Sequence, residues 1–169
     1  MGEKPGAALP FGGSNGLGSQ RYPYSVDEAY RRFLFHGPGL RGIDEVVGMS
    51  DHGIVARLRH SEPRALGVDA TAWATDPLVL DSALQLMVLW VREKRGAAAL
   101  PCFLGEYRQH APFEGPVTCH LEMAPTESAT GRFSARFVDD AGRIVADLSN
   151  GEYTANAAMN AAFQQAEAK

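Results

Sequence analysis

The decisive stretch is Asp76-Pro77-Leu78-Val79-Leu80-Asp81-Ser82-Ala83-Leu84-Gln85-Leu86-Met87-Val88-Leu89-Trp90-Val91-Arg92-Glu93-Lys94-Arg95-Gly96. Asp76 can cap the free amide groups of a first helical turn, and Pro77 suits the first helical position, where no backbone donor is needed. At the far end Arg92, Lys94 and Arg95 complement the negative pole of the helix dipole before Gly96 stops the helix. Between those ends nearly every side chain is apolar on all sides, the pattern of a helix buried all round. The apolar run from Leu78 to Val91 is broken by Asp81 and Gln85 and falls short of the roughly 20 residues needed to cross a bilayer. It is therefore a core helix, and a curved antiparallel sheet wrapping it is the simplest α+β architecture that buries it.

The flanking sequence supplies that sheet. Ile43 to Met49 and Gly53 to Arg59 read as a hairpin turning near Ser50-Asp51-His52-Gly53. Cys102 to Arg108, Val117 to Met123, Arg132 to Val138 and Ile144 to Tyr153 read as further strands, with Asp139-Asp140-Ala141-Gly142 as a turn. Upstream, Ser25 precedes Asp27, Glu28 and the helically spaced Ala29, Tyr30, Phe33 and Leu34, a short capped helix expected to stop at Gly37-Pro38. Residues 1–21, rich in glycine, are expected to be a flexible linker or a cloning remnant. Residues 22–154 form a single domain, and 155–169 a tail that is marginally helical or disordered.

A chain of 169 residues with 45% hydrophobic content holds one ordinary core. Its net charge of -4, with scattered basic residues, offers no footprint for nucleic acid or an anionic membrane surface. The N-terminus carries no basic-then-apolar secretion signal, which places the chain in the cytoplasm by default. Its two cysteines, Cys102 and Cys119, make no disulfide framework, and Cys119 and His120 on one strand would point to opposite faces, so no metal site is expected.

Asp81 is the only charged residue between Asp76 and Arg92, and Gln85 follows one turn later on the same helix face. A carboxylate among apolar neighbours loses solvation, which raises its pKa and suits it to general-acid work. The same pattern also fits a structural carboxylate that accepts hydrogen bonds from the backbone or a buried arginine. Gln85 reads as the amide that orients Asp81 or a substrate carbonyl. His36 can line a pocket or simply sit at a helix end. The stretch Gly37-Pro38-Gly39-Leu40-Arg41-Gly42 contains a formal G-x-G-x-x-G, but it follows a helix and Pro38 lacks an amide donor. Its glycines are better suited to a tight turn and close backbone approach than to a phosphate. No serine nucleophile elbow or phosphate loop occurs, so covalent catalysis is disfavoured.

Phe35-His36-Gly37-Pro38-Gly39-Leu40-Arg41 resembles the Tyr-Gly-Pro-x-Phe-Gln motif of polyketide synthase dehydratases. Leu80-Asp81-Ser82-Ala83-Leu84-Gln85 resembles their Leu-Asp-Ala-x-x-Gln motif. Leu86-Met87-Val88-Leu89-Trp90, Leu100-Pro101 and Gly151-Glu152-Tyr153 fit the same pattern, which is closer to polyunsaturated fatty acid and related iterative synthases than to ordinary modular ones. The resemblance is to the C-terminal half of a double hot-dog domain. It implies a hot-dog fold and a substrate carried on the phosphopantetheine of an acyl carrier protein, with no cofactor bound by the chain. Asp81 would protonate the departing 3-hydroxyl and Gln85 position it, while Gly37 and Pro38 shape the channel. His36 stands in place of the family tyrosine and Leu40 in place of the phenylalanine, both as substrate-binding positions. The first-half motif His-x-x-x-Gly-x-x-x-x-Pro is not found: His110 is followed by Gly115, one residue too far. The histidine base would then come from a separate N-terminal half or a second copy. A stand-alone hot-dog thioesterase and a non-catalytic acyl-binding module are the alternatives.

Overall fold

The computed structural model describes residues 9–13, 16–61 and 74–161. In chain order the elements are β1 (Leu9–Pro10), α1 (Val26–Arg32), β2 (Ile43–Ser50), β3 (Gly53–Leu58) and α2 (Pro77–Arg95). They are followed by β4 (Ala98–Phe103), β5 (Glu106–Gln109), β6 (Val117–Met123), β7 (Thr130–Val138) and β8 (Arg143–Asn156). The pairings between these strands are antiparallel, in the order β1-β8-β7-β6-β3-β2. The opposite edge of β8 carries three short strands in succession: β1 at Arg143–Ile144, β5 at Ala146–Ser149 and β4 at Glu152–Asn156.

The central helix follows its sequence signals closely. Asp76 Oδ1 accepts from the amides of Leu78 (2.9 Å) and Val79 (3.0 Å), and Ser61 donates to the same carboxylate from its amide (2.8 Å) and hydroxyl (2.7 Å). Gly96 closes the other end at φ 65°, a left-handed angle that glycine adopts without penalty. Val79, Ala83, Leu86, Met87, Leu89 and Val91 are fully buried against the sheet. Trp90 Nε1 donates to the Ser50 carbonyl at 2.9 Å, tying the helix to the β2–β3 hairpin. Burial is not complete, however. Leu80, Asp81 and Leu84 remain half-buried, so the first half of the helix keeps one strip that the sheet does not cover.

Three local expectations shift. First, α1 has the capping box of Ser25 and Glu28 but ends at Arg32, before Gly37-Pro38. Phe33 and Leu34 are both buried, and leaving the helix lets both turn inward before Pro38 opens a short 3-10 turn, Pro38–Leu40. Second, the strand expected over Cys102 to Arg108 is two strands broken at Leu104-Gly105. There β8 bulges at Asn150, whose φ is 55°, and the Gly105 amide donates to the Asn150 carbonyl at 3.2 Å. A Cβ on Gly105 would lie 2.7 Å from Asn150 Cβ, so chain and bulge fit only with glycine there. Third, in the stretch read as a linker, Leu17 is buried and Gln20 pairs with Met49, while β8 extends into the tail as far as Asn156.

Cys119 faces the core and His120 the other side of β6, as strand alternation requires. Among the described residues no helix is long and apolar enough to cross a membrane.

Asp76→Ala is expected to lower stability by roughly 2 kcal/mol, the upper end for a lost cap, because two bonds from Ser61 go with it. Urea denaturation measures this directly; a loss under about 0.5 kcal/mol would mean the cap is dispensable.

Candidate active site on the central helix

The uncovered strip of α2 is where the predicted residues meet. Gln85 is 1% exposed, and a buried amide needs partners for both ends. Its Nε2 donates to Asp81 Oδ2 at 2.7 Å and to the Leu40 carbonyl at 2.8 Å, while Tyr30 donates its hydroxyl to Gln85 Oε1 at 2.8 Å. The Tyr30 oxygen in turn accepts from the buried Ile43 amide at 3.1 Å. Helix α2, helix α1 and the 36–43 loop are thus joined through one side chain.

Asp81 sits at the edge of this network, its side chain 34% exposed. The apolar enclosure expected from its neighbours is therefore only partial, because Leu80 and Leu84 lie on the same uncovered strip. Its ionisable neighbour among the described residues is a histidine, not the buried arginine of the structural alternative. His36 Nε2 lies 3.5 Å from Asp81 Oδ2, too long for a good hydrogen bond but close enough for electrostatic coupling. Phe35 stacks on the His36 ring at 4.5 Å, and burial pushes the imidazole below its ordinary pKa, with the Asp81 charge pulling the other way. His36 Nδ1 is buried without a hydrogen-bond partner among the described residues. An open groove of about 480 Å³ beside it is lined by Tyr30, Arg31, Leu34, His36, Gly37 and Arg41, among others.

Of the residues singled out in the sequence, Asp81, Gln85 and His36 come together through their side chains. Leu40 joins them through its carbonyl, although the residue as a whole is 43% exposed. Gly37 lines the groove, and Pro38 starts the 3-10 turn that delivers the Leu40 carbonyl. One contributor escaped the sequence reading. Tyr30 reads as one more apolar position of a short helix, although a buried tyrosine always raises the question of where its hydroxyl bonds. The close backbone approach expected of the loop glycines falls at Gly42: a Cβ there would lie 2.8 Å from Leu78 Cγ and closer still to Ser82 Oγ. A second hollow, about 420 Å³ between residues 111–117 and the 139–143 turn, contains none of these groups, and its Asp139 and Asp140 are already paired with Arg143 and Arg57.

Comparison with known proteins is consistent in kind. The sequence profile of the family described as polyketide synthase dehydratase N-terminal domain matches residues 12–162. One of the subunits of the polyunsaturated fatty acid synthase of Thraustochytrium sp. is 43% identical over 82 residues, which is 47% of this chain and 3% of that protein. The dehydratase domain of RzxB from Pseudomonas fluorescens superposes with a TM-score of 0.67 at 25% identity, over 87% of this chain and 53% of that one. The dehydratase domain from the CurK module of the curacin polyketide synthase gives 0.68 at 20% identity, over 92% and 54%. An aspartate-to-asparagine and a histidine-to-phenylalanine variant of the CurK dehydratase are each described as inactive mutants. The chain thus spans about half the length of the solved dehydratases it resembles.

Gly42→Ala is expected to cost about 1–3 kcal/mol by overpacking the loop against α2, with partial recovery in the Gly42→Ala, Ser82→Ala double variant. Purely additive losses on denaturation would exclude that contact as the cause. The buried histidines also make stability depend on pH. Burial holds both His36 and His120 below their ordinary values, so the unfolded chain binds more protons as pH falls through the histidine range. Stability should therefore fall from about pH 7 toward about pH 5, and His36→Asn should remove part of that slope. An unchanged slope in the variant would rule out a neutral buried imidazole at His36.

Proposed function

Because the chain belongs to the polyketide synthase dehydratase family, we propose that it is one half of a dehydratase in which Asp81 is the acid that protonates the leaving 3-hydroxyl of an acyl thioester. The observation that carries this reading is the Asp81–Gln85 pair, a carboxylate held by a buried amide on an uncovered strip of the core helix. The family description that matches names an N-terminal domain. We read the chain as the C-terminal half, because the carboxylate–glutamine pair is present while no described histidine has the spacing of the first-half base. The inactive aspartate and histidine variants of the CurK dehydratase support a chemistry that needs both groups.

On this reading the steps follow from ordinary acid–base chemistry. A histidine from outside the chain removes the C2 proton, Asp81 gives its proton to the C3 hydroxyl, the C–O bond breaks, and water leaves an enoyl thioester. The substrate arrives on the phosphopantetheine of an acyl carrier protein, and His36, Gly37, Pro38, Leu40 and Gln85 flank its path. The base comes from an N-terminal hot-dog half or a second copy of the chain, with the cytoplasm as the setting. The proposed domain spans residues 22–154, and the flanking segments that the structure describes pack onto its edges.

The location of the open sheet edge supports a missing half. β4 follows shortly after Gly96 and packs against α2. Leu100, Phe103 and Leu104 are 40–54% exposed along that edge. An apolar edge with no strand partner among the described residues is what a second hot-dog unit would cover.

The test is the mass of the carrier-bound product from a 3-hydroxyacyl substrate, with and without the adjoining hot-dog half. Loss of water only when both are present is expected, and Asp81→Asn should lower it by about 10²–10⁴-fold. Release of the acyl group by the chain alone would replace this reading with a thioesterase, and an unchanged substrate in both mixtures would leave a binding module.

A further inference from the structure

We propose that Tyr30 is a positioning residue: with the Leu40 carbonyl it fixes the direction of the Gln85 amide and so decides which oxygen of Asp81 carries the acidic proton. The proposal rests on reading Asp81 as the acid. Its starting point is that a side-chain amide has two nearly isosteric orientations, and only its partners choose between them.

Here the partners leave one choice. The Leu40 carbonyl can only accept, and it lies 2.8 Å from the same Gln85 nitrogen that lies 2.7 Å from Asp81 Oδ2. Turning the amide over would set its oxygen against two other oxygens. Tyr30 works from the other end. Its oxygen accepts from the Ile43 amide, which can only donate, and its hydroxyl hydrogen goes to Gln85 Oε1 at 2.8 Å. In the reversed amide that hydrogen would face an NH₂ group and lose its acceptor. A fixed backbone donor and a fixed backbone acceptor therefore set the polarity of the whole chain of bonds, with Tyr30 passing it from one to the other.

The consequence reaches Asp81. Its Oδ2 faces the Gln85 donor and is also the oxygen near His36 Nε2. A proton on Oδ2 would collide with the Gln85 N–H, so a protonated Asp81 carries it on Oδ1, which has no hydrogen-bond partner among the described residues. Oδ1 is then the atom that hands the proton to the substrate hydroxyl, and Oδ2 takes up the developing charge while held by Gln85.

The experiment compares Tyr30→Phe with the parent chain in two ways. The first uses the chain alone and follows the side-chain amide resonances of Gln85 by NMR. In Tyr30→Phe, with the anchor on Oε1 gone and only Leu40 and Asp81 left to hold the amide, they should shift and broaden as its orientation loosens; resonances that stay in place overturn the proposal whatever the activity. The second uses the chain with its second half. Here kcat should fall roughly tenfold, the size of one lost buried hydrogen bond, with KM within about twofold. Because Ile43 loses its acceptor too, folding is checked, and Gln85→Glu is made alone and with Tyr30→Phe. If Tyr30 acts through Gln85, the double variant is no slower than Gln85→Glu; additive losses assign Tyr30 a purely structural role and overturn the proposal. Full activity in Asp81→Asn would instead remove the acid assignment and with it the role of Tyr30 in catalysis, while the NMR arm would still report the amide's direction.

Discussion

A primary amide buried to 1% exposure has four hydrogen-bonding positions to satisfy in a place water does not reach, and Gln85 sets that demand in the middle of the hydrophobic core. Meeting it requires the loop after α1 to lie flat on α2 so that the Leu40 carbonyl arrives at one end and Tyr30 at the other. That placement in turn brings His36 to Asp81, sets Gly42 against Ser82 and Leu78, and starts β2 at Ile43 with its amide already bonded. An apolar residue at 85 would pack as well or better, but nothing would then dictate where the loop sits. The polar group costs desolvation and returns a defined geometry around the carboxylate one turn away.

The sheet solves a separate problem with the same economy of parts. β8 is the longest strand, 14 residues, and its outer edge is shared by three short partners, so it has no long open edge of its own. The bulge at Asn150 and the glycine opposite it separate two of these partners, and the break re-aims the chain between β4 and β5. Among the described residues the outer side of β4 has no strand partner, and the strip of α2 that carries Leu80, Asp81 and Leu84 is only half-buried.

Legibility from sequence follows the range of the interactions involved. The central helix could be read to the residue at both ends, since Asp76, Pro77, the basic last turn and Gly96 act within a few positions of where they stand. The β2–β3 hairpin and β6 were equally plain from alternation. The end of α1 was not, because the burial of Phe33 and Leu34 depends on a core built from distant residues. The split between β4 and β5 depends on Asn150, some 45 positions downstream of Gly105. In the site, the Asp81–Gln85 pair was visible because one helical turn links them. Tyr30 was not, since its bond to Gln85 crosses 55 residues of sequence. The partial exposure of Asp81 escaped for the same reason: periodicity says which residues share a helix face, but not whether the sheet is wide enough to cover it.

That uncovered face also bears on why a lone half would be a poor catalyst. Elimination of water needs a base on C2 and an acid on the C3 oxygen at the same time, and the geometry here commits the nearby imidazole elsewhere. His36 Nε2 is turned toward Asp81 Oδ2, its other nitrogen is buried, and Phe35 lies over the ring. Nε2 therefore faces the oxygen that Gln85 already holds, and Nδ1 is out of reach of solvent. On the proposed reading a base has to approach from the open side of α2, across the strip bounded by Leu80 and Leu84. On the same reading, a second hot-dog unit that covered this strip would exclude water from its apolar rim and bring its own histidine to the oxygen that Gln85 leaves free.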